Sequence, residues 1–469
     1  MRAVQGESEG VLRAAWRAFR EPVPEEKRRL LAERWRDLDP RWRRSGQGFG
    51  RQATGCGATI GVMPRCDFAC RGCYLGHDAN AVPPLPLDAV LAQLEELRSW
   101  LGPKGNLQLT DGEVTLRDPE ELVAIIRRAR EVGLTPMVMS HGDSFRRRPE
   151  LLPRLVSEAG LTEVSIHVDS TQRGRRGYRE AVTEAELMPL RDEMAETIRD
   201  VRRQTGVRLR AATTLTVTRD NLPEIADVMR WILANRDAFS IVSFQPLAQV
   251  GRTEEEMEGV SAEELWTEIG HALDPHGFDA AQRTPLHFGH PDCSRVEPLV
   301  VVEKAGDEPQ LMPLVRPGEE GDLTWIEGYF DRGLGGLCFR DDPLPVRLSR
   351  TVGAFLSAPV WLLGPARRWV AARLRDAGVS VPGFFTGVAT GRLRIDTLNV
   401  ISHHFMSDDE VDTERGQERL AACVFRVPAE GEMIPMCQAN AGGGRDRLYQ
   451  IASDDVAAKS AREPLAIGA

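Results

Sequence analysis

The stretch "CDFACRGCY", residues 66–74, places Cys66, Cys70 and Cys73 at x3 then x2 spacing, in a chain of 469 residues that holds only eight cysteines. Thiols gathered so tightly commit a loop to wrap something. A disulfide framework is a poor fit, because cysteine is sparse for this length and the start of the chain reads without an apolar leader; reduced thiols in the cytoplasm are expected. A structural zinc site closes on four ligands, usually as two spaced pairs, and this loop offers three. An iron–sulfur cluster held by three thiolates leaves one iron open to a further ligand. Zinc stays as the alternative.

With an aromatic residue, Tyr74, directly after the last cysteine, the loop resembles the signature of the radical SAM enzymes. The resemblance implies that Cys66, Cys70 and Cys73 hold a [4Fe-4S] cluster and that Tyr74 neighbours the adenine of S-adenosylmethionine. It also implies that the open iron chelates this cosubstrate, which is cleaved to a 5'-deoxyadenosyl radical. A reductant such as flavodoxin or ferredoxin is then an implied partner.

Between residues 58 and 250 short strand-like runs alternate with amphipathic helices, the pattern of a parallel sheet wrapped by helices. Six strands are expected: 58–63, 106–109, 135–140, 163–168, 207–217 and 239–245. That number suits the partial (β/α)6 barrel that the family uses. The predicted class is α/β, with an N-terminal helical extension and a C-terminal α+β domain. The expected boundaries are 1–50 for the extension, 51–255 for the core, 256–345 for a linker and auxiliary-cluster region, 346–380 for an amphipathic segment and 381–469 for the C-terminal domain.

Alternation places Ser165, His167 and Asp169 on one face of the fourth strand, and Arg208, Arg210, Ala212, Thr214 and Thr216 on one face of the fifth. Ser243 and Gln245 end the sixth strand in the same way. A parallel strand under helices is usually apolar throughout, so these polar faces point to a lumen that holds a polar ligand. His167, Asp169, Arg210, Thr214 and Gln245 are therefore candidate cofactor-binding residues. After the second strand, "LTDGEVTL" resembles the family's Gly-Gly-Glu segment, with Asp111 in place of the first Gly. The resemblance assigns Gly112 and Glu113 to the methionine moiety, Glu113 as acceptor for its ammonium. Ser140 follows the third strand and is a further candidate. The adjacent His141 reads as structural.

A net charge of −10 disfavours a general nucleic-acid binder. The first 50 residues read as a charged helical collar that packs Trp16, Trp35 and Trp42 on the barrel, and Cys56 reads as a bystander. Cys293, Cys338, Cys423 and Cys437 are as many thiols as one auxiliary [4Fe-4S] cluster takes, or else buried core residues. The segment from Ser402 to Asn440 resembles the C-terminal region of tetraether-lipid synthase-like radical SAM proteins. This implies hydrogen abstraction from an unactivated carbon of a lipid-like substrate, with carbon–carbon bond formation. The run 348–375 is apolar and arginine-rich, as an interfacial segment meeting a membrane surface would be, or a buried helical hairpin. Competing functions are modification of a peptide or RNA by the same radical and, from another class, a non-catalytic iron–sulfur electron carrier or zinc protein; a polar lumen argues against the last.

Overall fold

The computed structural model describes residues 10–52, 57–279, 286–316, 318–331, 342–429, 431–445 and 447–449. Its core is six consecutive strand–helix units. The strands are β1 (Gly57–Met63), β2 (Asn106–Asp111), β3 (Thr135–Ser140), β4 (Glu163–His167), β5 (Arg210–Val217) and β6 (Phe239–Pro246), within a few residues of the sequence expectation. Helices Leu87–Leu101, Pro119–Glu131, Leu151–Ala159, Met188–Thr205, Ile225–Ala234 and Ala262–Leu273 follow them in turn.

Local chemistry sets these boundaries. In the second unit Asp118 accepts from Glu120 N and Glu121 N (2.9 and 3.3 Å), and Pro119 needs no hydrogen-bond partner at the first helical position. Leu122, Ile125, Ile126 and Ala129 then fall on one helical face and are buried. They pack against the outer face of the sheet, where Ile60, Leu109, Val138, Val164 and Ala211 align across β1 to β5. The opposite faces line the lumen.

The six parallel strands sit inside an eleven-stranded sheet of order β11-β10-β1-β2-β3-β4-β5-β6-β9-β7-β8. Residues 256–345, expected as a linker, contribute β7 (Ser294–Lys304) and β8 (Gln310–Pro313). The C-terminal part supplies β9 (Leu393–His403) parallel to β6, and β10 (Phe425–Ala429) parallel to β1, with β11 (Glu432–Pro435) outside it. It therefore flanks both edges of the barrel. The two flanks meet: His403 at the end of β9 packs edge-on against Phe425 of β10, with ring centroids 4.9 Å apart.

Of the tryptophans in the N-terminal extension, Trp35 and Trp42 pack around Leu38, Phe49, Ala422 and Val424. Trp16 departs from the expected collar. Its helix, Val11–Arg20, leaves it 63% exposed. The 346–380 segment forms helices Leu344–Ser357 and Arg367–Asp376, and Val381–Ala389 follows. Among the described residues no helix is long and apolar enough to cross a membrane.

Candidate functional site

The cysteine loop leaves the C-terminal end of β1 and is tied down from several sides. Cys66 N donates to Asn80 Oδ1 (2.9 Å), Ala69 N to Arg173 O (3.0 Å), Arg71 N to Thr171 O (3.0 Å) and Cys73 N to Thr253 Oγ1 (3.2 Å). Cys66, Cys70 and Cys73 are half-buried and line one cavity of about 570 Å³ inside the barrel. Phe68 N lies 3.4 Å from Cys66 Sγ, Arg252 N donates to Cys73 O (3.0 Å), and the Arg252 guanidinium interacts electrostatically with all three thiols.

Burial pushes the Cys66 thiol up to about 12 in spite of the Phe68 N–H, and burial together with the neighbouring thiols raises Cys70 as well. Such thiols keep their protons at neutral pH unless a metal cation displaces them. A three-thiol loop with an N–H donor turned to one sulfur and a guanidinium nearby fits an iron–sulfur cluster, whose thiolates carry negative charge. Asp67 and His141 also bring ligand atoms within 4.8 Å of Cys66, but they are committed to each other and to Arg147.

Beside this loop, β2 ends in Asp111-Gly112-Glu113. Gly112 is required by close approach, since a Cβ there would stand 2.1 Å from Arg65 O. Glu113 is 1% exposed and fully engaged on one oxygen. Oε1 accepts from Ser140 Oγ (2.8 Å), Thr115 N (3.1 Å) and Thr115 Oγ1 (2.5 Å), while Oε2 accepts from His141 N (2.9 Å). The less engaged oxygen is Oε2, which His141 Nε2 also approaches at 3.3 Å. Ser140, Glu113 and Gly112 all line the cavity. So does His141, which sequence reasoning set aside; its ring stacks on Phe68 at 3.8 Å between centroids.

Further round the barrel, His167, Thr214 and Gln245 line the same cavity. Asp169 lies behind it. Because β4 stops at His167 the strand alternation ends there, and the carboxylate turns back to bond His167 Nε2, Thr171 N (2.9 Å) and Thr216 N (2.8 Å). Burial opposes its charge, but the His167 ring and these donors hold it low. It orients His167 rather than contacting a ligand. Arg210 lines the lumen at the other end: it opens β5, pairs with Glu163, and stands with Asn106 and Lys104 at the N-terminal ends of the strands.

A third contribution comes from the C-terminal segment. Buried Arg445 pairs with Asp111, Tyr449 Oη donates to Asp111 Oδ2 (2.6 Å), and Tyr74 Oη donates to Asp111 O (3.0 Å). Tyr74 is thus held beside the cysteine loop, at the cavity wall. Cys437 lines the same cavity and is electrostatically coupled to Cys423 and Cys293, whereas Cys338 and Cys56 lie outside the described residues. Burial raises Cys423 to about 11, with Cys293 adding to it; burial raises Cys437 to about 12, with Cys423 and Cys293 adding. Arg419 Nε stands 3.4 Å from Cys293 Sγ.

Residues 60–232, from β1 to the helix after β5, match the sequence model of the Radical SAM superfamily. A search of curated proteins returns no match. Among solved structures the chain is similar to Streptococcus suis SuiB bound to S-adenosylmethionine (11% identity, TM-score 0.35, 51% of each chain covered). It is also similar to SuiB bound to precursor peptide SuiA (11%, 0.35, 47% of this chain and 46% of that one) and to anSMEcpe with bound AdoMet (12%, 0.34, 47% and 58%). The chain thus spans about half the length of these structures. The family match encloses the three-thiol loop, the Asp-Gly-Glu segment and most of the polar lumen, so that residues 60–232 of the chain carry a Radical SAM domain.

Proposed function

We propose that this radical SAM enzyme abstracts hydrogen from an unactivated carbon of a lipid-like substrate. When bound, the cluster and S-adenosylmethionine supply a carbon-centred radical; the protein's own residues position and shield. Cys66, Cys70 and Cys73 would hold the cluster, Glu113 would offer Oε2 to the ammonium of the cosubstrate, and His167, fixed by Asp169, would bond its polar groups. A one-electron carrier such as flavodoxin or ferredoxin would supply the electron.

The observation that carries the substrate class is the wall opposite these polar groups. Ile401, Phe405 and Met406 from the end of β9, and Phe425 from β10, face the cavity with Met137 and Met139 of β3. Along these side chains a hydrocarbon chain needs no hydrogen-bond partner, whereas a peptide backbone would depend on the few polar groups beside them, such as His403 and Asn440. The C-terminal resemblance to tetraether-lipid synthase-like proteins supports the same reading, and coupling of the substrate radical to form a carbon–carbon bond is the outcome it implies. In this reading Cys293, Cys423 and Cys437 would hold a second [4Fe-4S] cluster, with a fourth thiol supplied by Cys338, which lies outside the described residues.

The test is label transfer. Anaerobically reconstituted protein is given S-adenosylmethionine, dithionite and either phospholipid with perdeuterated acyl chains or deuterated peptides. Deuterium is expected in 5'-deoxyadenosine from the lipid alone; transfer only from peptide, or only unlabelled product, overturns the proposal.

A further inference from the structure

The apolar side chains that this protein exposes are not scattered. Among the described residues, all the well-exposed large ones except Leu116, Val182 and Ile395 lie on the helix Val11–Arg20 or between Leu344 and Val388. Leu12 is 86% exposed, Val360 80%, Phe385 66% and Leu363 65%. Single exposed apolar residues are ordinary, but a concentration of this kind marks a surface that is covered by something.

The inner side of the same segments explains why the outer side stays exposed. Trp361 Nε1 donates to Trp325 O (3.1 Å), Trp369 Nε1 donates to Leu314 O (2.8 Å), and Trp325 stacks on Trp369 at 4.6 Å. The tryptophans and the small residues Ala354, Ala358 and Ala366 therefore point inward. Gly353 lets the N-terminal helix close in, since a Cβ there would stand 2.0 Å from Phe19 O. Asp342, just before Leu344, pairs with Arg350 (3.0 Å) and with Lys104 (3.6 Å), anchoring this platform at the N-terminal ends of the barrel strands, away from the cysteine loop.

Charge selects the occupant. Residues 11–20 and 344–389 hold nine arginines and one acid, Asp376, in a chain whose net charge is −10. Arg13, Arg20, Arg347, Arg367, Arg368 and Arg375 are exposed. Outward apolar side chains interleaved with arginine, on helices too short to span, match a bilayer interface bearing anionic head groups: the apolar groups enter the acyl boundary and the guanidinium groups meet phosphate. We propose that this platform docks the protein on anionic membrane surfaces. The inference stands apart from the substrate reading, because docking requires neither cluster nor cosubstrate.

The experiment is flotation of the full-length protein with vesicles. Binding is expected to equal parts phosphatidylglycerol and phosphatidylcholine, about tenfold weaker to phosphatidylcholine alone and weakened by about 0.5 M salt. The triple variant Val360→Asp, Leu363→Asp, Phe385→Asp should bind the mixed vesicles at least about tenfold less tightly with an unchanged melting temperature, because these side chains are exposed. Arg367→Gln with Arg368→Gln should keep the fold and lose only the preference for the anionic lipid. The proposal is overturned if wild-type protein binds neither vesicle, or if the triple variant binds as well as wild type. It also fails if sedimentation shows a dimer that the triple variant dissociates while no vesicle is bound, which would assign the platform to a second copy of this chain.

Discussion

Asp111 occupies a positive-φ conformation (φ 89°), which costs a non-glycine residue about 1–3 kcal/mol. The family's motif has glycine there, so the strain must be offset, and the partners are explicit. Arg445 is buried and burial works against its charge, but Asp111 beside it holds the guanidinium protonated. Losing one member of such a pair leaves a buried charge and costs about 3–5 kcal/mol. Asp111→Gly relieves the backbone but strands Arg445, so a net loss of about 2 kcal/mol is expected in denaturant unfolding. Arg445→Met alone should lose about 3–5 kcal/mol, and the double variant far less than the sum, giving a coupling energy above about 1 kcal/mol. Additive losses would mean that the pair does not fasten the C-terminal segment to the cosubstrate site.

At the level of elements, the cysteine loop and Cys437 line one cavity, and iron content separates the roles of the two cysteine groups. A Cys66, Cys70, Cys73 triple Ala variant should retain about four irons per chain if Cys293, Cys423 and Cys437 with Cys338 ligate a cluster, against about eight in the wild type. A folded, colourless, iron-free triple variant would return the distal cysteines to the core. How far the sequence reaches is clear from these same elements. β1 to β6 were readable because short strand-like runs alternate with amphipathic helices, Pro119–Glu131 and Ala262–Leu273 with side-chain caps, and the cysteine spacing is local. Asp169 and Arg210 show the limit: alternation names a face, but not where a strand stops or which end of the lumen a residue occupies. His141 was readable only as a lone histidine, and Arg252 carried no signal. The partnership of Asp111 with Arg445 spans 334 positions, and no local pattern encodes such a contact.

For the whole molecule, the C-terminal strands extend the six-stranded core at both edges. β9 pairs with Ile241–Phe244 of β6, and β10 pairs with Gly57 and Ala58 of β1, so both edges of the six-stranded core are covered by one segment. β7 in turn runs antiparallel along the whole of β9, from His403 to Leu393, and has only β8 on its other side. Removing residues 393–469 would uncover the edges of β6 and β1, paired over four and two residues, detach the β7–β8 hairpin and take away Arg445 and the aromatic seam between His403 and Phe425. Uncovered edges template pairing with other chains. The truncated protein is therefore expected in the insoluble fraction, or as soluble oligomers without a cooperative melting transition. A monomeric truncation that melts as the intact protein does would show that residues 51–255 fold independently and that the flanking strands are an addition to the barrel, not part of its stability.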